Sequence, residues 1–204
     1  MNKLMKVNMH KPERQSGFSL VEVLVTLIVT SVALLSSATL QLQSKRSMYD
    51  SAQRTTAAHM ANDLFSRMRA NPTELATYVP VGTIGNGTLA VPADNCLNPA
   101  VTCTDTQLAI FDLWQWEQHL DGQLETNNLG AAAGGLLTPT VCITGPPPPL
   151  GAGAAGYYTV AIAWRGLTNT GNPIVNNCGA GSGNYGAGDA FRRVLVVQSF
   201  LSVT

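Results

Sequence analysis

Charge is scarce in this chain, and in one place it is missing altogether. Asp, Glu, Lys and Arg make up 12% of the 204 residues, and none of them falls between Val23 and Ser44. Twelve basic residues balance twelve acidic ones. That balance excludes a basic footprint of the kind that holds nucleic acid nonspecifically. Proline and glycine are both absent from residues 18–71 although the chain holds 11 and 19 of them, so nothing in that span breaks a helix. Histidine is limited to His10, His59 and His119. None of the three neighbours a cysteine in sequence, which argues against a zinc site, and no metal-ligand spacing, strained nucleophile turn or catalytic grouping joins them. No catalytic residue and no cofactor are expected. Cysteine does not occur before Cys96.

What is present begins with a basic leader. Lys3, Lys6, Lys11 and Arg14 stand against one acid, Glu13, ahead of Gly17-Phe18-Ser19-Leu20-Val21-Glu22 and the uncharged apolar run. A basic leader before an apolar run is an export signal. An ordinary secretory signal has its small-residue cleavage site after the apolar run. Here the small residue at the change of character is Gly17, before the run. Cutting there removes the leader and leaves the apolar helix on the mature chain, starting at Phe18. Without residues 1–17, eight bases face eleven acids, a net charge of −3 over 187 residues. That length suits a long helix and one globular domain.

Residues 18–71 read as one helix ended by Asn71-Pro72. The 22 uncharged positions 23–44 would span roughly 33 Å, enough to cross a bilayer, and Lys45-Arg46 marks the far boundary. The leader side is expected in the cytoplasm. Beyond it, Ala57, Met60, Ala61, Leu64, Phe65 and Met68 recur at helical spacing, while Arg54, Asp63, Arg67 and Arg69 lie elsewhere around the helix. This half is expected to pack on a domain. Residues 72–104 read as a loop-rich connector, 105–124 as a helix, and 138–144, 157–164 and 192–201 as strands. In the second strand Tyr158, Val160, Ile162 and Trp164 share one face. The last strand, with its nearly continuous apolar run, is expected to be central or covered on both faces.

Cys96, Cys103, Cys142 and Cys178 all follow the apolar segment, and export to an oxidising compartment makes disulfides the expectation. Three connectivities exist. Cys96–Cys103 with Cys142–Cys178 is favoured, because the first closes a short loop and the second could staple two strands. Two signals mislead. Gly151-Ala-Gly-Ala-Ala-Gly156 spells G-x-G-x-x-G, but four prolines precede it and a β-rich run follows, so it reads as a hairpin loop. Trp114, Trp116 and Trp164 could form a sugar- or partner-binding platform; core packing is the commoner fate of Trp164, whereas Trp114 and Trp116 point in different helical directions, which leaves one of them open to exposure.

The Gly17-Phe18 junction, with Glu22 inside the apolar run, resembles the signature of type IV prepilins. The resemblance implies that a prepilin peptidase cuts after Gly17 and methylates the amine of Phe18, and that Glu22 docks the subunit to its neighbours. It implies the pilin fold, α+β, with a long N-terminal helix packed on an antiparallel sheet head. The implied domains are a removed leader, 1–17, a helix, 18–71 with 23–44 in the membrane, and a disulfide-bearing head, 72–204. The C-terminal two-thirds is similar to the PilV family of minor pilins (type IV pilus modification proteins). That similarity rests on Leu113-Trp-Gln-Trp116 after a cysteine, on Val160-Ala-Ile-Ala-Trp-Arg165 before one, and on Arg192-Arg-Val194. The implied role is a minor pilin that enters or primes a pilus, supporting twitching motility and adhesion. Its partners would be other minor and major pilins and the inner membrane of a Gram-negative cell, with a periplasmic head that later joins the fibre. A type II secretion pseudopilin and a ligand- or DNA-binding pilin are the alternatives. No nucleic-acid partner is expected, because DNA would want a basic stripe and the head offers only Arg165, Arg192 and Arg193.

Overall fold

A computed structural model describes residues 17–130, 132 and 134–203, so the leader positions 1–16 lie outside the described residues. The chain divides into two compact units, Met1–Lys45 and Arg46–Thr204. Helix α1, Leu20–Ala70, contributes to both. It ends where Asn71 leaves helical geometry (φ −131°, ψ 65°) ahead of Pro72, whose ring disfavours the helical region in the residue before it.

In the first unit every described side chain is exposed. Five hydroxyls of this apolar stretch satisfy themselves. The hydroxyls of Thr26, Thr30, Ser31, Ser36 and Thr39 donate to main-chain carbonyls three or four residues back, at 2.8–2.9 Å. Such back-bonding lets Ser and Thr lie in a hydrocarbon environment without unpaired donors. By length and composition α1 is able to cross a membrane.

The second unit is built on the rest of α1, which buries Gln53, Ala57, Ala61, Leu64, Phe65 and Met68. Helix α2, Asp105–Leu120, starts at a capping box. The Thr104 hydroxyl accepts from the Gln107 N–H, and the Gln107 side chain accepts from the Thr104 N–H. The expected end at residue 124 is too late. Asp121 is the C-cap and Gly122 turns left-handed (φ 70°), which stops the helix four residues earlier.

Three antiparallel strands follow, β1 Thr140–Thr144, β2 Gly156–Arg165 and β3 Arg192–Leu201, in the order β1-β2-β3. Val141 opposes Ile162, which opposes Leu195. The expectation that the last strand is central or doubly covered is corrected. The middle strand is β2, with Tyr158, Val160, Ile162 and Trp164 buried together, whereas β3 is an edge strand. Its run of apolar residues hides an alternation, for Val196, Gln198 and Phe200 face solvent. The inner face of the sheet, α1 and α2 meet in one core that includes Leu64, Phe65, Met68, Trp116, Val160 and Ile162.

Candidate functional site

Gly17, Phe18 and Ser19 precede the first helical residue. A Cβ added to Gly17 would meet no atom within 4 Å, so its backbone is open to approach, and Phe18 is 84% exposed. The Ser19 carbonyl accepts from the Glu22 N–H (3.0 Å) and the Val23 N–H (3.2 Å), closing the first turn. Glu22 thereby sits in that turn with its carboxylate near the positive end of the helix dipole. Among the described residues its side chain has neither a hydrogen bond nor an ion pair. Gly17, Phe18 and Glu22 thus lie within about one turn of each other, on an exposed, apolar helix end.

Residues 13–38 match the prokaryotic N-terminal methylation motif, and residues 39–114 match the family described as type IV pilin Tt1218. No curated protein and no solved structure matches the chain. The long apolar helix followed by a small antiparallel sheet is the α+β fold of a type IV pilin.

Both cysteine pairs are bonded, Cys96–Cys103 and Cys142–Cys178. The second does not join two strands. Cys178 lies in the Gly/Asn-rich loop between β2 and β3, so the bond fastens that loop to β1. Arg192 holds the same loop from beneath. Its buried guanidinium donates to the Asn172 side chain and to the carbonyls of Pro173, Asn176 and Cys178. Arg193 pairs with Asp50 at 3.2 Å, and Arg165 donates to the Asn184 carbonyl and lies over the Phe191 ring. All three head arginines are thereby engaged inside the second unit.

Sequence reasoning missed the most demanding polar site of the head. Glu117 is fully buried on α2 and its carboxylate accepts four hydrogen bonds, from the N–H groups of Gly85, Thr88 and Leu89 and from the Thr88 hydroxyl, at 2.8–2.9 Å. One turn later Asp121 accepts from the N–H groups of Asn86 and Gly87. Burial pushes the Asp121 carboxyl up, its two N–H partners pull it back, and the Glu117 charge adds to the rise. The i,i+4 spacing of two acids on a helix facing a Gly-Asn-Gly turn was the available signal. With five main-chain N–H groups and one hydroxyl donating to it, this pair of acids clamps a loop.

Other candidates disperse. His59 and His119 are exposed singly, and His10 lies outside the described residues. Among the described residues no cluster of three His, Cys, Asp or Glu could hold a metal ion. The G-x-G-x-x-G stretch is the turn entering β2, with Tyr158 Oη accepting from the Gly153 N–H and donating to the Ala154 carbonyl. Trp116 and Trp164 are core residues, whereas Trp114 is half-buried.

Proposed function

We propose that this type IV pilin is a minor pilin of the PilV kind, processed between Gly17 and Phe18, methylated at Phe18, and drawn into a pilus through Glu22. The observation that carries this reading is the junction itself: an open glycine, an exposed Phe18 and an unpaired carboxylate in the first turn of a helix whose residues to Lys45 bury nothing. Such a helix needs lipid or other helices around it. The mature chain would sit in the inner membrane with a periplasmic head, then enter the fibre by helix contacts with other minor and major pilins. Incorporation at the tip, priming of assembly, twitching motility and adhesion follow from that role. A type II secretion pseudopilin shares the same plan, but the match over residues 39–114 is to a pilin and favours the pilus.

Mass determination of the mature N-terminus tests the processing. The expected chain starts at a methylated Phe18, and Gly17→Val leaves the leader in place because a branched Cβ obstructs close approach to the backbone. A wild-type protein that keeps residues 1–17 in the membrane fraction contradicts the proposal. Recovery of the chain in sheared pilus fibres separates a pilin from a secretion pseudopilin.

A further inference from the structure

Between the small disulfide loop and α2 lies a groove of about 310 Å³, lined by the aliphatic side chains of Val91, Pro92, Leu97 and Leu124 as well as by aromatic and polar ones. Trp114 forms part of its wall, backed by Phe111 with ring centroids 5.8 Å apart. Polar side chains alternate with this aromatic surface, and several of their bonding positions are unused. The Gln118 side chain makes no hydrogen bond among the described residues, nor does the indole N–H of Trp114. The Gln115 amide oxygen accepts from Arg67, which leaves its NH₂ group over. Asp94 accepts from Gln107 through one oxygen only, and the Asn95 oxygen accepts from the Leu97 N–H, leaving its NH₂ group over as well.

The walls are fixed in advance. The Cys96–Cys103 bond closes one side, and the capping box with the Asp94–Gln107 contact ties that loop to the start of α2. Asp94 is the one charged residue of the lining, so the site suits a ligand with little or no charge. An aromatic face flanked by amide donors and acceptors complements a pyranose, whose ring presents C–H bonds on its faces and hydroxyls around its rim. The volume lies at the small end of ligand pockets, about 300–1,000 Å³, which fits one or two sugar rings.

We infer that this groove binds a neutral saccharide, with Trp114 stacking on a ring face and Gln118, Gln115 and Asp94 reading its hydroxyls. The groove belongs to the second unit alone, so its ligand can be tested whether or not the chain enters a pilus.

The test uses the full chain in a phosphocholine detergent, which carries no sugar headgroup to compete. Glucose, galactose, N-acetylglucosamine and their β-linked disaccharides are titrated while tryptophan emission is followed. With Trp116 and Trp164 buried, the signal reports Trp114. At least one sugar is expected to give a saturable shift, weakened about tenfold by Gln118→Ala in the same assay and by Trp114→Ala when binding is followed by titration calorimetry, since that variant lacks the reporter. Melting midpoints show whether each variant is folded. Should Trp114→Ala unfold, Gln118→Ala decides alone, since it removes only a half-buried amide. No response to any of the sugars, an equal response in a folded variant, or a response confined to an aliphatic peptide probe overturns the inference.

Discussion

At the scale of single residues, the head depends on buried polar groups whose partners are main-chain atoms. Glu117 is the clearest case. Its Oε1 accepts three hydrogen bonds and its Oε2 one, all from the loop 85–88 and Leu89. An amide cannot replace a carboxylate here, because one of its two ends carries hydrogens and would face a buried N–H. Glu117→Gln is therefore expected to destabilise the protein by about 1–3 kcal/mol, the cost of leaving a buried donor unpaired. Thermal unfolding of the full chain checks this, and an unchanged midpoint would refute it. Glu117→Ala should cost more, since it strands all four donors.

At the scale of elements, α1, α2 and the turn between them are joined by one polar network. Arg67 pairs with Asp63 and Asp112, each at 3.0 Å, and Tyr78 donates to Asp112 at 2.6 Å. Burial first, and then the hydrogen bond and charge of Asp112, push the Tyr78 phenol far above its ordinary value. Burial likewise raises Tyr185, which donates to Thr140 on β1. Both folded pKa values exceed that of the unfolded phenol, about 10. The stabilisation linked to them is therefore complete below about pH 10 and is lost as the pH rises above it. Melting midpoints that stay level from pH 10 to 11 would contradict this. In Tyr78→Phe the alkaline decline should be shallower. The Cys142–Cys178 bond acts at the same scale, closing a separation of 36 residues, and replacing both by Ser should cost roughly 2–4 kcal/mol. A double variant that melts with the wild type in nonreducing buffer would rule that out.

These elements also mark what could be read in advance. The extent of α1, the buried stripe from Ala57 to Met68, the start of α2 and all three strands follow from local patterns. Periodicity records which face is buried, so it served wherever burial is one-sided. Strand order is a nonlocal property, and the apolar run 194–197 of β3 resembles that of a central strand although it lies at an edge. The Glu117 clamp was hidden for the same reason. Its partners are three backbone N–H groups and the Thr88 hydroxyl, 28 to 32 residues away, and only the i,i+4 pair of acids and the Gly-Asn-Gly turn hinted at them.

At the scale of the whole molecule, the question is what a lone acid achieves in a segment meant for hydrocarbon. A carboxylate at the centre of a membrane helix costs on the order of 2.5–3.5 kcal/mol and less toward its ends, so Glu22, at the edge of the apolar run, bears part of that cost unless it finds a partner. Three are conceivable from its place in the first turn of α1. The helix dipole is one, but it contributes only about 0.3–1 kcal/mol at an exposed position. The amine that cleavage would create at Phe18, four residues earlier on the same chain, is another. The third is that amine on a neighbouring subunit. The first two would make Glu22 a local stabiliser, with no consequence for assembly. The third makes it a docking group, because the pairing is complete only when the next subunit is in register. Glu22→Ala separates them. It should leave insertion and Gly17 processing nearly intact, since the segment only becomes more apolar, while crosslinking to partner pilins and the number of fibres fall together. Glu22→Gln, which keeps the size but removes the charge, should behave like Glu22→Ala. Fibres at wild-type number in either variant, with normal crosslinking, would reduce Glu22 to the helix-capping role that its dipole position alone supports.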